Sequence, residues 1–354
     1  MKLGLKRLFS RGLTIVLAAC IVLVMFAGCS TTKKPTLNVY NWGDYIDEDV
    51  LKLFEEQTGI KVVYSTYEMN EDMYTKIKSS QGDSYDIIIP SDYMIIKMKN
   101  EGMLAKIDKS KLSNYKLIDP TFEDNTYDQN NEYSVPYMWG TVGIVYNTEM
   151  ISEPVDSWGI LWDEDYSGQI FMMDSVRDSI GITLKYLGYS MNSTDPDELE
   201  AARQKLIDQK PLVLSYTGDQ VKDQMIAGEG ALAVVYSGDA ITINEGNPAV
   251  EYVVPNEGSN LWVDGMCILE SSPRKDEAHL FIDFMCSTEI ATMNRDYINY
   301  STPQLEVFDA LPDEIKDDPM QYPDDDVRAR CEYFDDPSDK ISLYDQIWTE
   351  VLAN

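Results

Sequence analysis

Short apolar strands alternate with amphipathic helices along most of this chain, and that alternation restricts it to the α/β class. Leu37-Asn38-Val39-Tyr40 reads as a strand, and residues 47–58 carry Val50, Leu51, Leu53 and Phe54 at helical spacing before Gly59, a residue suited to ending a helix. A strand at 60–64, a helix at 70–79, a strand at 85–89 stopped by Pro90, and a helix through Met98 continue the pattern. The extended run 135–146 is long enough to pass between two lobes. A second series follows, with strands at 169–173, 231–236 and 262–269 and helices at 178–187, 197–208, 220–227 and 275–286. This order predicts a parallel, doubly wound sheet. Ligands of such sheets sit beyond the carboxyl ends of the strands, which singles out the loops 41–45 and 91–93.

The N-terminus has the layout of an export signal. Lys2, Lys6, Arg7 and Arg11 precede an uncharged apolar run at 13–27. That run is about 15 residues, short of the roughly 20 that a permanent spanning helix needs, and it ends in small residues, so residues 1–28 read as a removable signal. Phe26-Ala27-Gly28-Cys29 resembles a lipobox, which would make Cys29 the lipidated first residue of the mature chain and residues 29–36 a polar tether anchoring it to the membrane. No other apolar stretch is long enough to span a bilayer. About 325 residues remain, more than one core usually serves, so two lobes are expected.

Removing the signal takes away four of 29 basic residues and none of 61 acidic ones, leaving a net charge of −36. Such a surface repels nucleic acid and anionic lipid; it serves solubility first and favours a cationic ligand second. Cys267, Cys286 and Cys331 cannot all pair internally, none belongs to a C-x-x-C motif, and the single histidine, His279, sits on an amphipathic helix. A zinc site or a Cys/His nucleophile is therefore not expected. Neither a phosphate-cradling loop, nor Gly-x-Ser-x-Gly, nor His-Glu-x-x-His is present, which argues against an enzyme and against a bound cofactor.

Three clusters join an aromatic face to a carboxylate near predicted strand ends: Trp42-Gly43-Asp44-Tyr45, Trp262-Val263-Asp264, and residues 174–178 together with 236–239. The pairing suits an alkylammonium, because ring faces attract the cation and cover its methylenes while the carboxylate accepts its hydrogen bonds. A primary amine with a pKa near ~10.4 is charged at neutral pH and needs such partners when it leaves water.

Over nearly all of residues 37–354 the chain resembles the spermidine/putrescine-binding proteins of bacterial ABC importers. The likeness is carried by Tyr40-Asn41-Trp42-Gly43-Asp44-Tyr45, by residues 58–71, by Tyr85-Asp86-Ile87-Ile88-Ile89-Pro90-Ser91-Asp92-Tyr93, and by residues 107–112, 133–140 and 187–190. The resemblance implies a two-lobed α/β fold of the type II periplasmic-binding class, each lobe a doubly wound mixed sheet flanked by helices. Residues 37–140 with 263–308 would form one lobe and 144–259 with 313–354 the other, with hinges near 141–143, 260–262 and 309–312. It implies an extracytoplasmic receptor, monomeric and anchored through Cys29, that captures a polyamine between closing lobes and delivers it to membrane permease subunits driven by a cytoplasmic ATPase.

Its ligand contacts carry over residue by residue. Trp42, Tyr45, Tyr93, Trp262 and Tyr300 would form an aromatic box, with Tyr236 where the family often has Trp. Asp44 would be the amine-binding acid of the first loop, Ser91 a polar contact, and Asp264 the central acid. Asp178 replaces a family Glu, and Ser175 stands where a second acid is usual. Gly43 replaces a usual hydroxyl residue. Asp174 at a strand end would face away, and losing an acid weakens the end that would hold a third amine, so spermidine against putrescine stays open, with Asp239 available to compensate. A receptor of the same architecture for another solute is the alternative. A sugar would call for stacked tryptophans with neutral hydrogen bonds, an amino acid for an arginine, and ferric iron for clustered tyrosine oxygens. Arg177 is the only basic residue in the site clusters, and the resemblance makes it structural.

Overall fold

A computed structural model describes residues 35–80, 84–123, 125–335 and 340–354. The predicted signal 1–28, the lipidation position Cys29 and most of the tether lie outside these residues, and Thr36, the tether's last predicted residue, already opens the first strand. No helix among the described residues is long and apolar enough to cross a membrane.

The sequence-encoded starts and stops are met locally. Strand β1 (Thr36–Trp42) leads to helix α1 (Glu48–Thr58), whose N-cap Asp47 accepts the Asp49 backbone N–H. At its other end Gly59 adopts φ 73° and returns its N–H to the Glu55 carbonyl at 2.8 Å. β2 (Lys61–Tyr67), α2 (Asn70–Ser79), β3 (Ile87–Ile88) and α3 (Asp92–Asn100) follow. The predicted strand 85–89 contributes only two residues to the ladder, but Asp86 fixes its neighbours: its carboxylate accepts from the Asn38 backbone N–H at 2.8 Å and from Ser272 Oγ at 2.6 Å.

The nine strands of the described residues form one mixed sheet in the order β2-β1-β3-β9-β4-β7-β5-β6, with β8 (Val250–Val253) paired to β4 off this path. β1 is parallel to β2 and β3, and β5 (Ile170–Met173) is parallel to β6 (Val213–Thr217) and β7 (Leu232–Tyr236). The two parallel sets are joined by antiparallel strands, β9 (Leu261–Ile268) and the long β4 (Ser134–Asn147). This agrees with the mixed sheet that the resemblance implies and goes beyond the parallel reading of the alternation alone: both joining strands pair with their neighbours in the opposite sense, and an apolar run does not record direction. β4 pairs with β9 as far as Thr141 and with β7 from Val142 onward, so it changes partner within a single residue step.

Leu37, Val39, Ile87 and Ile88 are fully buried in the first half of the sheet, with Phe54 of α1 against Phe281 of α8 (Lys275–Met285) at 5.1 Å between ring centroids. In the second half α4 (Val176–Tyr186), α5 (Pro196–Gln209) and α13 (Ile341–Ala353) bury Ile180, Leu184, Leu199, Leu206 and Tyr344 together. Each such side chain contributes about 1.5–3 kcal/mol through burial. The sequence reading omitted β6, β8, α7 (Ser237–Gly246), α9 (Thr288–Ile298) and α13. β6 and β8 are short and only partly buried, so their patterns lack a clear apolar face.

Gly143 lies in β4 where β8 crosses closely: a Cβ there would meet Tyr252 at 2.4 Å and the Val253 carbonyl oxygen at 2.5 Å. Gly143→Ala is expected to destabilise the protein by about 1–3 kcal/mol through overpacking, read as a lower midpoint of urea unfolding.

Candidate ligand-binding site

A cleft of about 650 Å³ lies between the two halves of the sheet. Its walls come from the carboxyl ends of the parallel strands: Trp42 ends β1 and Tyr45 follows it, Ser91 and Tyr93 follow β3, Ser175 and Asp178 follow β5, and Tyr236 ends β7. Trp262 and Asp264 enter from β9, two residues apart and so on one face of the strand, and Tyr300 enters from the segment after α9.

The aromatic side chains form a connected set. Tyr236 packs on Trp262 at 5.8 Å, Trp262 on Tyr300 at 5.1 Å, and Tyr300 on Tyr45 at 5.7 Å, all edge to face. Trp42 leans on Tyr67 at 4.6 Å, and Tyr93 meets Phe334 at 6.2 Å, so these two line the cleft from separate stacks. The loop carrying Tyr45 is held by its own carbonyl, which accepts from Tyr137 Oη at 2.9 Å and from Asn41 Nδ2 at 3.1 Å. Tyr93 Oη donates to Glu71 at 3.0 Å, and Asn70 Nδ2 donates to both Tyr93 Oη and Ser91 Oγ.

The acids differ sharply in their surroundings. Asp264 is 6 % exposed, and its Oδ1 is buried without a protein donor. Burial pushes its pKa up to about 6, with Ser91 and Tyr45 opposing the shift; Tyr45 Oη approaches the carboxylate without completing a hydrogen bond. Asp178, by contrast, is saturated. Its Oδ2 accepts from Ser175 Oγ at 2.7 Å and from Tyr236 Oη at 3.0 Å, and its Oδ1 accepts from Asn260 Nδ2 at 3.2 Å. Ser175 is the N-cap of α4, and its Oγ also accepts the Asp178 backbone N–H. Both residues border the cleft, but their polar atoms are engaged in fixing Tyr236 and the start of α4.

Asp44 does not join the group. It has φ 44°, is exposed and lies outside the cleft lining, while its neighbours Gly43 and Tyr45 line it. Asp174 is corrected the other way: expected to face away, it borders the cleft. Arg177 is buried and committed internally, donating to the Asp335 carbonyl at 3.2 Å and to Asn192 Oδ1 at 3.1 Å, with its guanidinium 4.5 Å from the Phe334 ring centre. Outside those clusters, Lys222 Nζ stands 3.3 Å from Asp239, another acid of the lining. The sequence reading also missed Tyr67, Glu71, Tyr216, Asp219, Asn260 and Phe334, all in the lining, whereas Asp92 falls in the loop 91–93 that it singled out. Tyr67 and Asp219 follow strand ends and obey the same topological rule that found Tyr45; Phe334 has no sequence signal of this kind.

His279 is structural: its Nε2 accepts the Asp108 backbone N–H at 2.8 Å. Cys267, Cys286 and Cys331 are free, and no cluster of metal-ligating side chains occurs among the described residues. What the cleft offers chemically is a buried carboxylate amid flat ring faces.

Comparison with known proteins agrees with this architecture. The family model described as bacterial extracellular solute-binding protein matches residues 49–322. The chain is 35 % identical over 339 residues to the spermidine/putrescine-binding periplasmic protein of Salmonella typhimurium, covering 96 % of this chain and 97 % of that protein. It is 31 % identical to a putrescine/cadaverine-binding protein of Pseudomonas aeruginosa, covering 94 % of this chain and 98 % of the relative. Among solved structures, a putative spermidine/putrescine ABC transporter protein from Listeria monocytogenes superposes with a TM-score of 0.86 at 43 % identity, covering 90 % of this chain and 98 % of that one. With its two sheet halves, its strand-end cleft and these relatives, the chain belongs to the bacterial extracellular solute-binding proteins and has their type II periplasmic-binding fold.

Proposed function

We propose that this protein is an extracytoplasmic receptor that captures a polyamine, spermidine or putrescine, between two closing lobes and delivers it to an ABC importer. The observation that carries the reading is Asp264: a buried carboxylate with one oxygen lacking any protein donor, beside the rings of Trp262, Tyr300 and Tyr45. A buried carboxylate is costly unless a cation meets it, and an alkylammonium supplies both that charge and methylenes for the rings. Relatives at about one-third identity are named for binding spermidine and putrescine, which supports the same ligand class here.

In this reading Asp264 takes an ammonium, Ser91 is a polar neighbour, and Trp42, Tyr45, Tyr93, Tyr236, Trp262 and Tyr300 enclose the chain of the ligand. Ser175 and Asp178 act by holding Tyr236 in place, and Asp44 attracts the ligand at the rim. Closure turns on the segments near 141–143, 260–262 and 309–312, with residues 37–140 and 263–308 in one lobe and 144–259 and 313–354 in the other. The partner change of β4 between Thr141 and Val142 supports a hinge at the first of these. A ligand that touches both lobes binds the closed form more tightly and shifts the population toward it. The closed monomer, tethered through lipidated Cys29, then docks on permease subunits served by a cytoplasmic ATPase. A receptor returns its ligand unchanged, so no turnover is assigned.

Isothermal titration of ligand-stripped protein with spermidine and putrescine tests the reading. Saturable equimolar binding that persists at moderate salt is expected, and absence of binding by folded protein to either amine would overturn it. Asp264→Asn should weaken binding by at least about tenfold, the order of one lost charge-assisted hydrogen bond; unchanged affinity would remove Asp264 from the site. Binding should also depend on pH. The ligand stays protonated throughout, whereas Asp264 gains a proton as pH falls through about 6, so affinity should hold above that value and drop below it, by up to about tenfold per pH unit. The sign follows from the raised folded-state pKa: ionising Asp264 opposes folding as pH rises from the unfolded value toward about 6, and a bound ammonium offsets that cost. Titrations from pH 7.5 to 4.5 read the slope.

A further inference from the structure

Two buried acids of the cleft differ in one respect that bears on which polyamine is preferred. Asp264 has no basic side chain among the groups that shift its ionisation. Asp239, in the first turn of α7, already has one. Its Oδ1 lies 3.3 Å from Lys222 Nζ and 3.5 Å from Tyr300 Oη. Lys222 belongs to α6 (Val221–Ile226), its side chain is only 24 % exposed, and its Nζ is also 3.9 Å from Asp219 Oδ1. Burial alone lowers the pKa of this ammonium, but Asp239, Asp219 and Asp44 outweigh it and raise the net value, so Lys222 is a firm cation.

The arrangement copies what a polyamine terminus would present: a primary ammonium on a methylene chain, seated on a carboxylate next to an aromatic ring. The ring is Tyr300, which also packs on Trp262 and Tyr45 of the cleft wall. Its position is fixed by Gly238, where a Cβ would fall 1.6 Å from the Tyr300 ring, so helix and ring touch directly. Asp239 and Asp219 line the same cleft. A ligand ammonium reaching this end therefore meets a carboxylate whose charge is already balanced from within the chain.

We propose that Lys222 is an internal competitor for ligand ammonium at Asp239 and so sets specificity, weakening the binding of spermidine, with its extra ammonium, more than that of putrescine. The inference rests on the polyamine reading given above. Specificity here is a difference between two affinities, and an internal ammonium already paired to an acid of the lining counts most against the ligand with the most ammoniums to place.

The test is titration of wild type, Lys222→Met and Lys222→Arg with both amines, with circular dichroism to confirm folding. Lys222→Met keeps the length and flexibility of the side chain and removes its charge. It should bind spermidine about tenfold more tightly, with less than about threefold gain for putrescine, while Lys222→Arg stays near wild type. In an Asp239→Asn background Lys222→Met should bring no gain. Spermidine affinity that is unchanged or reduced in Lys222→Met would show that the lysine only ties α6 to α7, and a gain that persists with Asp239→Asn would reduce it to a bulk charge effect; either result overturns the inference and leaves the receptor reading intact. Absence of binding by folded wild type and variants alike would overturn both.

Discussion

Two carboxylates of the cleft bury an oxygen that no protein group meets, Asp92 at Oδ2 and Asp264 at Oδ1; Asp92 feels the Arg177 charge, whereas Asp264 has no such cation, and the site depends on the latter. A carboxylate within a strand, surrounded by rings and without an opposing cation, favours its neutral form, which is the reason its pKa rises to about 6. Tertiary packing enforces that position. At Asp264 the backbone of β9 is paired with Met138 of β4 on one edge and bridges Ser91 on the other, so the strand that carries the side chain is held on both sides. A rigid frame that holds a charge in a poorly solvating place is what converts weak ammonium–carboxylate attraction in water into useful binding free energy.

The frame explains the distribution of roles around the cleft. Side chains at parallel strand ends reach the site from both halves of the sheet, whereas the antiparallel strands β4 and β9 join the halves and β9 contributes Trp262 and Asp264. Because β4 exchanges β9 for β7 within one residue step, the two halves of the sheet share a continuous strand.

The acids sort into three electrostatic states. Asp178 is hydrogen-bonded by three neutral donors and organises its surroundings, Asp239 is met by an internal ammonium, and Asp264 keeps one buried oxygen without a donor. A strongly acidic chain thus does not present a uniform trap for cations. Most of its negative charge is solvated or locally compensated, and selectivity arises from where compensation is missing.

Much of this was legible in the sequence. The helical spacing of Val50 and Phe54, the stop at Gly59 and the strand-end position of Tyr45 and Tyr93 depend on residues within a few positions of one another, so the sequence alone determines them. Trp262 and Asp264 likewise share a face because strand side chains repeat every two residues. Strand direction, the exposure of Asp44 and the approach of Lys222 to Asp239 were not legible, because each depends on segments distant in sequence that only folding brings together. Asp178 and Asp264 look alike as carboxylates beside aromatic residues. Only the tertiary structure decides that Asn260, Ser175 and Tyr236 satisfy both oxygens of the first while Oδ1 of the second stays without a donor, because hydrogen bonding and desolvation are set by neighbours in space.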